Sequence, residues 1–598
     1  MDISWTSAIG MDPETAVSNA VTVQLALKVI ALTLDLTAYL FPKQCDVNDD
    51  DTFDFIIIGA GSAGSVIANR LSEIEYFKVL IIEAGGDPPL EVMYPGLSSY
   101  TYHSRLDWNI TSQYDGTTAQ CRKDKVIPQF SGRVLGGSSS INCMYYVRGN
   151  PYDYNRWAQL VDDETWKWEN VLPYFIKSER MLDKDVLKSA TGKLHGRHGE
   201  IGITRSIDNN TRRFLRSLKE DGIPVTMDYN ANKTLGYSDV FFTIADGYRQ
   251  STGYRFLGLA RNRPNLYILK NTVATKILFN DDKRAYAVEV VAENKIKKVT
   301  LKATKEIIVS AGALKSPQLL MLSGIGPKDH LRTLNIDVIA NLPVGKNLQD
   351  HLAIPILHTL QKNKKKSFPK PFNPHVYPYS NIVGFVALNK SQSYPDYEST
   401  INIIDDGAKD LLQLYSFVYQ YSDNVSDSIY NYAKESTVIE TLITDLHPKS
   451  RGEILLRSVN PFDHPLVYTG YLSEEEDLVN TIRYIEDYLR LTHTSYFKKN
   501  NAQMIDIVGN MCKGFKFGSK DYWTCYIQCT LNNMTHYSGT CALGSVVDSR
   551  LLVRGVKGLR VTDTSIMPYI VSGNTNAPTM MLGEKVSDFI KEVHGALK

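Results

Sequence analysis

Phe53-Asp54-Phe55-Ile56-Ile57-Ile58-Gly59-Ala60-Gly61-Ser62-Ala63-Gly64 is the stretch whose reading decides the fold. Its first half is a short, nearly continuous apolar run, the pattern of a strand buried on both faces. Its second half spaces glycines as G-x-G-x-x-G, and a helical stretch through Leu71 follows, then a second apolar run, Val79-Leu80-Ile81-Ile82, ending at Glu83. A lone glycine hexad is weak, but strand, glycine turn, helix and strand together make a βαβ unit and a dinucleotide-binding fingerprint. Gly59 permits the tight turn, Gly61 lets the backbone approach a pyrophosphate and Gly64 lets helix and strand pack closely. Ser62 and Ala63 open the helix whose N–H groups meet the phosphates. Glu83, 19 residues after Gly64, is suited to accept hydrogen bonds from a ribose hydroxyl and disfavours a 2′-phosphate. The fingerprint alone does not choose between NAD and FAD.

Working outward, Glu306-Ile307-Ile308-Val309-Ser310 reads as another buried strand and Gly558-Leu559-Arg560-Val561-Thr562-Asp563 as a third, so three distant segments are expected in one sheet. The stretches between them are richer in aromatics, turns and alternating patterns. The expected architecture is therefore α/β, with a discontinuous Rossmann-like unit (residues 50–150, 266–364 and 531–598) and a second, α+β unit on an antiparallel sheet (151–265 and 365–530) that carries the substrate. Residues 1–49 form an N-terminal segment. Within it, residues 20–41 contain Gln24, Lys28 and Asp35, so neither a membrane span nor a convincing signal peptide is expected, and an amphipathic segment packed on the body is the simplest reading.

The 598 residues carry 66 Lys+Arg against 65 Asp+Glu, a formal net charge of +1 that offers no field for nucleic acid. The seven cysteines are too scattered to read as a disulfide framework, and an odd number leaves at least one unpaired in a monomer. Sequons such as those at Asn109 and Asn533 neither prove nor exclude export. The lysines in residues 362–366 read as a solvated loop.

Several further blocks carry a resemblance. Gly132-Arg133-Val134-Leu135-Gly136-Gly137-Ser138-Ser139-Ser140-Ile141-Asn142, Gly312-Ala313-Leu314-Lys315-Ser316-Pro317 continuing to Gly326, Leu342-Pro343-Val344-Gly345-Lys346-Asn347-Leu348-Gln349-Asp350-His351, and Asp563-Thr564-Ser565-Ile566-Met567-Pro568 resemble the signatures of the glucose-methanol-choline (GMC) oxidoreductases. The resemblance spans roughly residues 50–595 in order and implies FAD. It implies that Gly136, Gly137 and Ser138 lie against the flavin and diphosphate and that Asn142 bonds near the isoalloxazine. It adds Val273, Asp563 and Asn576 to the cofactor contacts. In relatives that bind flavin covalently through this block a His precedes the Asn; here Ile141 stands there, so dissociable FAD is expected.

Thr535-His536-Tyr537-Ser538-Gly539-Thr540-Cys541 and Ser572-Gly573-Asn574-Thr575-Asn576-Ala577-Pro578 resemble the blocks supplying the family's catalytic pair. This makes His536 and Asn574 the candidate pair. The chemistry fits: hydride removal from a carbinol carbon needs a base for the hydroxyl proton, and a neutral amide orients the oxygen. The block departs from its commonest form, with Thr535 and Tyr537 flanking the His. His195, His198, His447, His464 and His493 are expected to be structural. Cys512, Cys525, Cys529, His536 and Cys541 lack paired CxxC spacing, so no metal is expected. The implied function is FAD-dependent oxidation of a small-molecule alcohol, with oxygen or another electron acceptor; a flavin-binding protein without turnover is the non-enzymatic alternative. Resemblance to an insect branch of the family, and aromatics such as Tyr377, Tyr379, Phe385, Tyr394, Tyr397, Tyr415, Phe417, Tyr419 and Tyr421, favour a steroid hydroxyl as substrate. Benzylic alcohols and glucose are the alternatives.

Overall fold

The computed structural model describes residues 40–292, 298–361, 373–404, 413–433 and 436–596. The lysine cluster at 362–366 and residues 20–39 lie outside them. Residues 42–45 lie beside the strand Leu266–Leu269, with Cys45 N–H donating to Ile268 O at 2.9 Å and Lys270 Nζ donating to Pro42 O at 2.9 Å.

Seven strands form the first sheet. Thr52–Ile58 pairs parallel with Val79–Ile82 on one side and with Lys298–Val309 on the other. Leu266–Leu269 extends the sheet beyond Val79–Ile82, and Leu559–Val561 runs parallel to Lys298–Val309. The three distant segments are therefore neighbours: Ile307 stands opposite both Ile56 and Leu559. Thr272–Phe279 and Ala285–Ala292 add antiparallel pairs. Ile56, Ile57, Ile307 and Ile308 are fully buried, as expected of strands covered on both faces. The helices Ser62–Ser72 and Asn576–Val593 pack against each other. Gly59 makes the first turn with φ +101°, and a Cβ there would sit 2.4 Å from Ser310 O, so no other residue fits between these two strand ends.

The second sheet also has seven strands, all antiparallel, in the order Gln503–Met504, Leu352–Leu360, Thr437–Asp445, Tyr397–Ile404, Ser380–Val386 and Gly236–Asp239, with Asn532–Asn533 on the start of Leu352–Leu360. Leu352–Leu360 and Asn532–Asn533 thus fall in segments assigned by the sequence reading to the Rossmann-like unit, yet they pair in the other sheet. An apolar strand does not encode which sheet it joins, so the boundaries at 364 and 531 differ from the pairing. The two faces differ in character. Ile354, Ile356, Ile382, Ile401, Ile439 and Ile443 join one apolar core with the helices Glu475–Leu489 and Lys520–Thr530. The opposite face carries Asn381, Asn402 and Glu440 in one row and Thr400 and Leu442 in the next.

Two disulfides form, Cys121–Cys529 across 408 residues and Cys512–Cys525 across 13. The first was illegible because its partners meet only through tertiary packing. Cys45, Cys143 and Cys541 are free.

Candidate active site

A cavity of about 360 Å³ is lined by residues of both sheets. Gly59, Gly61, Ser62, Ala63 and Glu83 form its wall on the βαβ unit. Both helices that begin there, Ser62–Ser72 and Asn576–Val593, lack side-chain N-caps and acidic residues in their first turns. Their leading N–H groups are thus available to an anionic or carbonyl-bearing ligand. Ser62 Oγ donates to Asn576 Oδ1 at 2.7 Å, tying the two termini together. Gly137 (φ +53°) approaches so closely that a Cβ on it would lie 2.7 Å from Gly61 Cα. Gly137, Ser138, Asn142, Val273, Asp563 and Asn576 also line the cavity. Gly64 and Gly136 stand behind this lining. A Cβ on Gly64 would meet Gly59 O at 2.0 Å, and Gly136 N–H donates to Ala60 O at 2.8 Å.

Glu83 is buried, and its Oε2 and Oε1 accept from Ala60 N–H and Gly85 N–H, both at 2.9 Å. Burial pushes this carboxyl up to about 7. It therefore braces the glycine turn, with lone pairs remaining for a ribose. Asp563 braces a second turn, its Oδ2 accepting from Gly312 N–H at 2.9 Å and from Ser316 Oγ at 2.6 Å. Asn142 Oδ1 accepts from Met144 N–H and from Arg249 Nη1 at 2.9 Å. Arg249, which the sequence reading missed, is fully buried, its Nη2 without a partner among the described residues, and burial lowers it to about 10. Two uncapped helix ends, a backbone-tight glycine pair and a buried acid at the strand end fit a dinucleotide with free ribose hydroxyls.

Farther along the cavity, Asn574 Nδ2 lies 3.1 Å from His536 Nε2. His536 Nδ1 faces His351 Nδ1 at 2.9 Å, and Asn574 Oδ1 has no partner among the described residues. With Asn574 Nδ2 donating to its Nε2 lone pair, His536 carries its proton on Nδ1 and donates it in a hydrogen bond to His351 Nδ1. Burial lowers His536 to about 3 and His351 well below the ordinary range, so both rings are neutral. Asp350 Oδ1 accepts from His536 N–H at 2.7 Å and from His351 N–H at 2.9 Å, while Oδ2 accepts from Tyr471 Oη at 2.9 Å. This clamp holds Thr535 at φ +58°, unusual for a β-branched residue. Asp350 and His351 were visible only as members of a block; their separations of 186 and 185 residues from His536 hid the contact.

The other histidines stand away from the cavity. His195 bridges Glu179 at 2.7 Å and Asp228 at 3.0 Å. The disulfides take three of the four cysteines considered above as metal ligands, leaving Cys541 free. Of the nine aromatics named from sequence, Tyr377, Tyr379 and Tyr419 line the cavity, joined by Tyr102, Phe130 and Tyr145. Tyr394 stacks on Tyr152 at 3.9 Å, Tyr415 on Tyr421 at 5.4 Å, and Phe417 is 50% exposed. The sequon residue Asn533 is inside, donating to Pro128 O at 3.0 Å and Tyr537 Oη at 2.8 Å.

Family models described as GMC oxidoreductase match residues 53–353 and 448–583. Ecdysone oxidase of Bombyx mori is 36% identical over 586 residues, covering 95% of this chain and 86% of that protein. Glucose dehydrogenase [FAD, quinone] of Drosophila pseudoobscura pseudoobscura is 34% identical, covering 94% and 93%. Among solved structures, pyridoxine 4-oxidase from Mesorbium loti superposes with a TM-score of 0.75 at 24% identity, over 91% of this chain and 99% of that one.

Proposed function

Given that this chain belongs to the GMC oxidoreductase family, FAD-dependent enzymes acting on alcohol CH–OH groups, we propose that it oxidises a secondary ring hydroxyl of an ecdysteroid to the ketone, with oxygen as the final acceptor. The observation that carries the chemistry is the neutral His536, its Nε2 facing Asn574 Nδ2 while Asn574 Oδ1 has no partner among the described residues, in a cavity that also contains the dinucleotide cradle. FAD, when bound, supplies the hydride acceptor. The residues handle the rest. Asn574 Nδ2 turns from His536 to donate to the substrate oxygen, His536 Nε2, so freed, takes the hydroxyl proton, and His351 accepts the Nδ1–H bond that steadies the resulting imidazolium. The helix N-termini at Ser62 and Asn576 would hold the cofactor's anionic and carbonyl groups.

The substrate reading draws on the tyrosine-lined cavity and on the similarity to ecdysone oxidase. A planar polycyclic alcohol gains more from such walls than a hexose, whose hydroxyls need several convergent polar partners. Ile141, with no nucleophilic atom, supports non-covalent FAD: acid precipitation should release yellow flavin into the supernatant, and colour kept in the pellet would contradict this. The deciding experiment mixes the holoenzyme anaerobically with ecdysone, glucose and a benzylic alcohol. Ecdysone should bleach the flavin fastest. Bleaching by glucose with ecdysone inert would end the substrate assignment.

A further inference from the structure

We propose that Glu440 and Asn402 form a second recognition point, for a hydroxyl of the substrate remote from the one being oxidised. The inference deepens the alcohol-oxidation reading and rests on it. Both residues line the same cavity as His536 and Asn574. They are paired across neighbouring strands of the second sheet, on the face turned away from its apolar core.

Glu440 is fully buried, with Oε1 accepting from Tyr415 Oη and Oε2 from Asn402 Nδ2, both at 2.9 Å. Neither partner is charged, and no cation reaches this carboxyl among the described residues. Asn402 Oδ1 accepts from Nδ2 of Asn381, and the Asn381 Oδ1 is buried without a partner among the described residues. A carboxyl oxygen can accept two bonds and an amide nitrogen donates two. The pair therefore retains an acceptor and a donor beyond those already used, the complement of a hydroxyl. Folding does not call for this: a buried carboxyl without a cation is costly, and an apolar side chain would match the isoleucines on the other face.

Placement sets the two recognition points apart. His351 immediately precedes the strand Leu352–Leu360, and Leu357, opposite Glu440, lies six residues farther on. At about 3.3 Å per residue the backbones of His351, which touches His536, and of Leu357, which stands opposite Glu440, are about 20 Å apart along the strand, so the polar pair lies well away from the catalytic pair. Tyr377, Tyr379 and Tyr419 contribute aromatic walls to the cavity. A single pyranose ring cannot bridge both ends. A fused-ring alcohol with a hydroxylated side chain can, presenting a ring hydroxyl to His536 and a side-chain hydroxyl to Glu440.

The test compares ecdysone with its analogue lacking the side-chain hydroxyls, by kcat/KM for flavin reduction in wild type and in Glu440→Gln. Wild type should prefer the hydroxylated compound by about tenfold to a hundredfold, the range for a hydrogen bond to a charged or strongly polar buried group. Glu440→Gln should shrink that preference by about tenfold, and the ratio is insensitive to general damage. Equal turnover of both compounds by wild type overturns the proposal while leaving the steroid reading intact, and needs no variant. An unchanged ratio in a flavin-loaded Glu440→Gln likewise overturns it. If neither compound bleaches the flavin and glucose does, the substrate reading fails first and takes this inference with it.

Discussion

Replacing Asp350 with alanine should cripple hydride removal without emptying the cofactor site. The carboxylate accepts three bonds, two of them from the backbone N–H groups of His351 and His536. At roughly 1.5–3 kcal/mol for each buried charge-assisted bond, those two hold the loop with about 3–6 kcal/mol. That exceeds the roughly 1–3 kcal/mol of strain expected for a non-glycine residue in the left-handed region, which is where Thr535 sits. Without the clamp Thr535 relaxes and the imidazole moves; a displacement of about 1 Å costs on the order of 10²-fold in rate. Asp350→Asn keeps Oδ1 for both N–H groups and can donate to Tyr471 Oη, so its loss should be about tenfold or less. Stopped-flow reduction under anaerobic conditions, with FAD content measured alongside, separates the limiting rate from cofactor loss. The reasoning would be refuted by an alanine variant reducing flavin within threefold of wild type, or by an asparagine variant as impaired as alanine.

His536→Ala should slow flavin reduction by about 10²–10⁴ with FAD retained, the usual contribution of a positioned base; a loss under tenfold would place the base elsewhere. Asn574→Ala should cost less in the same assay, because it removes orientation and not the proton acceptor. Glu83→Ala should weaken FAD retention by roughly 1.5–3 kcal/mol, read as flavin occupancy after dialysis, and unchanged occupancy would remove Glu83 from the ribose site. Burial lowers His536 to about 3, against about 6.5 unfolded, so between these values the unfolded chain binds the extra proton. The ring's contribution to stability is complete above about pH 6.5 and is lost as pH falls toward 3. Wild type should accordingly lose more Tm than His536→Ala between pH 7 and pH 5, and equal losses would show that the ring is not held neutral by burial.

What could be read from sequence was local or repeated in a recognisable block. The βαβ unit was legible because an apolar run, a glycine turn and an acid recur at short spacing, and Ile307 was legible as a strand residue because both-face burial leaves an unbroken apolar signature, whereas Leu559 stands in the short alternating run Leu559-Arg560-Val561-Thr562. The sheet membership of Leu352–Leu360 was not, since its apolar run would suit either sheet. The His536 and Asn574 pairing came from block resemblance, whereas the His351 contact and the Asp350 clamp need coordinates, because a hydrogen bond across 185 residues leaves no periodic trace. Glu440 and Asn402 were also hidden. Alternation marks two faces of a strand, but a polar face is indistinguishable in sequence from a solvent-facing one until the fold shows it buried.

The strand Leu352–Leu360 begins where the catalytic loop's anchor ends, with Asp350 and His351 leading directly into it. Reactivity and selectivity are therefore graduated on one ruler. A shift of this strand by a single residue would exchange its faces, pull His351 from His536 and turn Leu357 away from Glu440 together. Changes of substrate preference in this scaffold should thus accumulate in side chains on Tyr397–Ile404 and Thr437–Asp445, and insertions should be tolerated in the loops and not in the strand that keeps both ends in step.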